Sequence, residues 1–313
     1  DSEVFSTCVS PQTYTGLTEG SHFFSVKATD TAGNTELLPP SHTWTIDITK
    51  PVVGVSYSGG LYTNAGTITL TLSGTDSSGL AGMMFSWDGG ASWGTEETYG
   101  TTKTWNLGSS DGLKTVYVKF KDTGGNWSDP YRYDLTLDTV PPVLDVTSHG
   151  PCTNNPALTI SGTATDTLSG LKNVTVNGTA VTVQSGSFSQ GLTLANGANT
   201  IVIAATDNAD NVTTVNQVIT FDQTAPVLTV SAPAEMGDID LFTGAAMIDV
   251  KGTVNESDTV TIRVNSDTPV VVPVLENAFI YPVTLETGTN VIEVTAVDCA
   301  GNTATVQRTV IYD

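Results

Sequence analysis

The sequence predicts an all-β chain of tandem two-sheet sandwiches, and three observations predict it. A short acidic turn segment recurs four times at near-constant spacing. Each copy follows a run of alternating apolar residues. No stretch sustains a helical apolar period, so helix should be almost absent.

The turn segments read Asp30-Thr-Ala-Gly-Asn34, Asp122-Thr-Gly-Gly-Asn126, Asp207-Asn-Ala-Asp-Asn211 and Asp298-Cys-Ala-Gly-Asn302, and they lie 92, 85 and 91 residues apart. One period matches a seven-stranded sandwich. Positions six, four and two before each Asp are Phe24/Val26/Ala28, Val116/Val118/Phe120, Ile201/Ile203/Ala205 and Ile292/Val294/Ala296, all apolar. Period-two alternation of this kind is a strand with one face on a core. On that register Val118→Asp should unfold the second repeat, and Lys119→Asp should be tolerated. Asp can bond its own backbone two residues on, and Gly or Asn accepts positive φ, so the segment that follows is turn chemistry.

A second strand then runs to Asp47, Asp138, Asp222 or Asp313, and the first three lead into Pro51, Pro142 and Pro226. Proline lacks the ladder donor and belongs at a strand start or a junction. The expected domains are therefore 1–49, 50–140, 141–224 and 225–313, in line and joined by short stiff linkers. Leu17-x-x-Gly20-x-His22, Leu194-x-x-Gly197-x-Asn199 and Leu285-x-x-Gly288-x-Asn290 recur as a tight corner before the alternating strand, and Gly74, Gly162 and Gly252 end an earlier core strand. The first repeat has only 29 residues before its turn, where a full one has about 70. Its half-sandwich is expected to be completed by an upstream part of the polypeptide or by strands of a neighbouring subunit, the latter being self-association by strand addition.

The runs GSHFFSVKATDTAGNTE…WTIDITKP and GTNVIEVTAVDCAGNTATVQRTVIYD resemble tandem bacterial immunoglobulin-like repeats. The third and fourth repeats are similar to the modules that accompany secreted polysaccharide hydrolases and surface proteins. The resemblance implies immunoglobulin-like sandwiches and a bacterial extracellular or cell-surface location. It also implies roles as stalk, spacer, adhesin or enzyme appendage. Related repeats often carry a second cysteine in the strands the first repeat lacks, which would partner Cys8.

Eleven Lys and Arg stand against 32 Asp and Glu, a formal net charge of −21. Such a surface cannot displace phosphate counterions, which excludes nucleic acid as a partner, and it attracts cations. No apolar run is long enough for a helical membrane span. Residue 1 reads as the start of a mature or truncated product. Cys8, Cys152 and Cys299 lie too far apart for a metal-site spacing, and sequence leaves their pairing open.

No Gly-x-Ser-x-Gly, His–Glu–x–x–His or Cys–His arrangement occurs, so the expected protein is not an enzyme. Ser86-Trp-Asp88-Gly-Gly90-Ala-Ser-Trp93 matches the Asp-box of sialidase-like propellers. A propeller needs several copies, and one copy is a self-satisfying hairpin turn. Trp87, Trp93 and Trp105 flank Gly-rich turns of the second repeat and could form a glycan platform for surface polysaccharide, or could be packing. In an immunoglobulin-like sandwich the Asp turn, the loop after the second strand and the preceding linker meet at one end. Each joint would then gather Asp47 with Asp76 and Asp122, Asp138 with Asp166 and Asp207, or Asp222 with Glu256 and Asp298, the loop of the fourth repeat also carrying Asp258. Oxygen-only clusters suit Ca²⁺, while each Asp could also merely cap its own turn. The expected function is a stalk or a subunit of a surface fibre or layer. The alternative is an adhesin or glycan-binding accessory module of a larger secreted enzyme.

Overall fold

The computed structural model describes residues 4–234, 241–256 and 259–313. All regular structure among them is β, and no helix is long and apolar enough to cross a membrane. Three sandwiches of immunoglobulin-like type follow a two-stranded sheet. Each pairs a smaller sheet of three or four strands with a five-stranded one.

The alternating run of each complete repeat becomes an inner strand of the five-stranded sheet. Gly112–Asp122 lies between Leu80–Ser86 and Tyr131–Leu137. Gly197–Asp207 lies between Leu171–Val176 and Val212–Phe221. Gly288–Val297 lies between Thr259–Val264 and Thr303–Tyr312. Val116, Val118, Phe120, Ile201, Ile203, Ala205, Ile292, Val294 and Ala296 are all buried to 1 % exposure or less. In the second repeat they meet Val55, Ile68, Leu70, Leu72 and Trp105 of the opposing sheet. The third and fourth repeats each have a separate core of the same design.

Gly74, Gly162 and Gly252 have a packing reason. A Cβ there would stand 2.8 Å from the Phe120 ring, 2.9 Å from the Phe188 ring, or against Phe279. The strand is bare at that point so that an aromatic ring can lie on it. The corner Asn residues also have a mechanism. Asn199 accepts from Ala195 N at 2.9 Å and donates to the Ala195 and Gly197 carbonyls at 2.8 Å, and Asn290 repeats the pattern on Glu286 and Gly288.

The first repeat contributes one small sheet. Gly20–Ser25 pairs with Ser41–Ile46 in a two-stranded sheet. Phe24 is half-buried against the edge of Tyr14, while Val26 and Ala28 are exposed. Among the described residues no second sheet opposes this pair, so the apolar alternation has no core to face.

The chain divides into two compact units. The first holds residues 1–140 with 208–211, and the second holds 141–207 with 212–313.

Candidate functional site

The recurring turn is a small hydrogen-bonded device. In each of three copies the Asp carboxylate accepts the Asn backbone N–H four residues on at 2.8 Å and the Asn side-chain amide at 2.8–2.9 Å, at Asp30/Asn34, Asp122/Asn126 and Asp298/Asn302. Around Asp122 and Asp298 burial opposes the charged form, but the Asn bonds outweigh it and hold both carboxyls below the usual range. The same Asn reaches further where a repeat precedes it. Asn126 donates to the Asp47 carbonyl at 3.0 Å and Asn302 to the Asp222 carbonyl at 2.9 Å. Asn211, which groups with the first unit, donates to the Asp138 carbonyl at 2.9 Å. A turn cap thus doubles as a latch on the linker.

Within the first unit the structure brings Asp47, Asp76 and Asp122 together. One carboxylate oxygen of each lies within 4.8 Å of the other two. Asp122 is buried, and its bonds are those of the turn. Asp47 accepts only the Thr49 N–H, at 3.0 Å, and Asp76 accepts the N–H and hydroxyl of Ser78, both at 2.8 Å. In both residues it is Oδ1 that is used. Oδ2 of each is buried with no hydrogen-bond partner among the described residues. Two bare oxygens beside a third carboxylate are costly unless a cation or protons share them. Three hard oxygen donors fit Ca²⁺ better than a nitrogen- or sulfur-seeking metal.

The remaining acids divide differently. Asp138 is buried in the first unit, where it accepts the Val140 N–H at 3.1 Å. Asp166 and Asp207 belong to the second unit. Asp166 takes the Leu168 and Gly170 N–H groups at 3.2 and 2.6 Å, and Asp207 is buried at the end of its strand. Asp222, Glu256 and Asp298 line a cavity of about 430 Å³, yet they form no three-carboxylate cluster among the described residues. Asp258 lies outside those residues. That joint is closed by other means, a disulfide between Cys152 and Cys299 with Cα atoms 5.8 Å apart. Cys152 pairs in register with Thr220, two residues before Asp222, and Cys299 follows Asp298 directly. The bond therefore ties the third repeat to the fourth, and Cys8 is left free and exposed. The sequence signal was present: Cys299 stands inside the turn, and the turn abuts the preceding repeat.

The tryptophans do not form an exposed coplanar row. Trp105 is a core residue at 7 % exposure, because it sits on the core-facing side of Thr102–Asn106, an edge strand of the smaller sheet. Trp87 is 55 % exposed and stacks on Trp105 with centroids 4.0 Å apart and planes 22° apart. Half-buried Trp93 carries the Lys119 ammonium 4.3 Å from its centroid, and Trp127 receives the same ammonium at 4.8 Å. Sequence reading missed this Trp93–Lys119–Trp127 stack, since Lys119 counted only as an outward position. All three candidate tryptophans still line one cavity of about 420 Å³. The hairpin carrying Trp87 and Trp93 is self-satisfied. Asp88 accepts from Ser86 Oγ at 2.7 Å, from Ser92 N–H at 2.9 Å and from Ser92 Oγ, and Gly90 N–H donates to Ser86 Oγ at 3.0 Å. The Ser92 bonds above all hold the Asp88 carboxyl far below its ordinary value.

The family model for glucodextranase domain B matches residues 142–223 and again 226–313, more than half of the chain. The chain belongs to that family. Bacillopeptidase F of Bacillus subtilis (strain 168) is 41 % identical over 103 residues, 32 % of this chain and 7 % of that protein, so the chain spans a small part of this relative. Among solved structures, the fibronectin(III)-like modules of Clostridium thermocellum CbhA are 17 % identical, covering 54 % of this chain and 94 % of theirs, with a TM-score of 0.41. A tetra-tandem repeat from the extending region of a large adhesion protein is 22 % identical, covering 95 % of this chain and 82 % of its own, at 0.39.

The two glucodextranase domain B copies contain the disulfide. The Asp47–Asp76–Asp122 cluster and the tryptophan cavity lie outside both matched segments. Those two sites are therefore features of this chain's own first 140 residues.

Proposed function

We propose that this chain is a non-catalytic, extracellular spacer within a larger secreted or surface protein, with latched joints between its repeats. The disulfide between the third and fourth repeats carries the reading. A cross-link between two separately cored repeats adds little to either core and restrains their joint. Such bonds persist in oxidising surroundings outside the cytosol. The acids support it as well, because Asp30, Asp88, Asp122 and Asp298 hold their own turns and are not free for acid–base work. At the Asp47 joint, Ca²⁺ shared by Asp47, Asp76 and Asp122 would take the latching role, its binding offsetting the two bare buried oxygens.

The test uses the whole chain in solution scattering and thermal melting, with and without reductant and with Ca²⁺ or a chelator. Reduction should loosen the second unit and chelation should lower the melting temperature of the first. If neither treatment changes maximum dimension or melting, the joints are not latched and the spacer reading fails.

Membership of a family named for a domain of an enzyme favours a second reading, an accessory part of a secreted hydrolase. It differs from the first in what the chain is attached to and leaves the latches unchanged.

A further inference from the structure

We propose that the cavity at the Trp87 hairpin of the second repeat binds a neutral hexopyranose segment of a polysaccharide. Four features of that cavity make the case, and none depends on the spacer role.

The cavity has the volume range and the aromatic lining of a small-ligand site, and about one or two sugar rings fit in it. Its principal surface is Trp87. One face of that indole is covered by Trp105, which is itself packed on Phe85 with centroids 5.4 Å apart. The stack fixes the ring and leaves its other face to solvent, which accounts for 55 % exposure in so large an apolar group. A flat, rigid aromatic face is what the C–H face of a pyranose packs on, and such a ring gives contact area at little entropic cost.

The support is also preorganised. The Asp88–Ser86–Ser92 bonds close the hairpin on itself, Gly89 and Gly90 take positive φ, and the Lys119 ammonium pins Trp93 from outside. Binding therefore orders little that is not already ordered.

Charge selects the class of sugar. The acids at the site are already spoken for: Asp88 by hairpin donors, and Glu97 by the Lys103 ammonium at 2.5 and 2.7 Å. The Glu97–Lys103 pair is neutral and Asp88 keeps its negative charge within the hairpin, so the site and the −21 surface both repel uronates and sulfated chains. Glu97 lines the cavity and stays partly exposed, which leaves carboxylate lone pairs for sugar hydroxyls beside its Lys103 partner.

The test titrates the intact chain with dextran, soluble starch, mixed-linkage β-glucan and galactomannan, with polygalacturonate and tetramethylammonium as counter-probes. It is read by affinity electrophoresis and tryptophan fluorescence. At least one neutral polysaccharide should retard the protein and change its fluorescence. Trp87→Ala should weaken that binding about tenfold or more while circular dichroism shows the second repeat still folded, with only a small drop in melting temperature from the lost Trp105 stack. Trp44→Ala should leave it intact. Absence of binding to all four neutral polysaccharides overturns the proposal. So does binding that survives both Trp87→Ala and Trp93→Ala, or a preference for polygalacturonate or tetramethylammonium.

Discussion

The turns at Asp122 and Asp298 are built from the same bonds and end in different joints. Each Asp holds the Asn four residues on, and each Asn amide donates to the carbonyl of the Asp that ends the preceding repeat. Beyond that core they diverge. The Asp122 turn meets Asp76 and Asp47 in a tight carboxylate cluster, whereas the Asp298 turn contributes Cys299 to a covalent bond with Cys152. The local device caps the turn and positions the linker. One further side chain then distinguishes the two joints, a third carboxylate in one case and a disulfide cysteine in the other.

The strongest way to break the comparison is to remove the strand beneath a turn. Val118 and Val294 are fully buried four residues before Asp122 and Asp298. Val118→Asp and Val294→Asp should each cost about 3–5 kcal/mol, since an unpaired charge enters an apolar core. Four of the five tryptophans lie in the second repeat and none lies beyond residue 127. Fluorescence-detected melting should therefore collapse in the first variant and stay intact in the second, while circular dichroism registers both. A fluorescence change with Val294→Asp would mean that the repeats do not melt separately.

The next largest effect belongs to the covalent joint. Replacing Cys152 and Cys299 by Ser should cost the second unit about 2–4 kcal/mol, toward the lower end because each repeat keeps its own core. The fluorescence transition of the first unit should not move. An equal loss in both units would erase the distinction between the joints.

What could be read from sequence follows the same division. Alternation before Asp122, Asp207 and Asp298 located the inner strands, because burial on one face of a pleated strand leaves a period-two trace. The convergence of Asp47, Asp76 and Asp122 was legible too, since sandwich topology places those loops at one end. Side-chain choices between equivalent positions were not legible. Glu256 replaces a short Asp, and the partnership of Cys152 with Cys299 depends on which strand abuts which turn. Lys119 was read as a tolerant outward position. It lies over two indoles, and such cation–π contacts contribute about 1 kcal/mol, so its replacement by Asp is not neutral. In the first repeat Val26 and Ala28 follow the same pattern and lie exposed, with no second sheet over them among the described residues.

The smallest effect isolates the shared device at the joint that shows no carboxylate cluster among the described residues. Asn302→Ala deletes the amide that serves Asp298 Oδ2 and the Asp222 carbonyl, and it should cost about 1–2 kcal/mol at neutral pH. The cost should depend on pH with a definite sign. Burial opposes the Asp298 charge and the Asn302 bonds more than compensate, so the folded carboxyl titrates below its ordinary 3.8. A carboxyl depressed in the folded state stabilises the fold above the ordinary carboxylate range. That contribution is lost as pH falls through the depressed value. Without Asn302 burial is less opposed, and the carboxyl takes its proton at higher pH. The gap in melting temperature between wild type and Asn302→Ala should be full at neutral pH, narrow as the variant's carboxyl takes its proton, and be smallest below the depressed wild-type value, once both chains carry the proton. A gap that stays constant to acid pH would show that Asn302 acts through the Asp222 carbonyl alone. The turn carboxylate would then have no part in the latch.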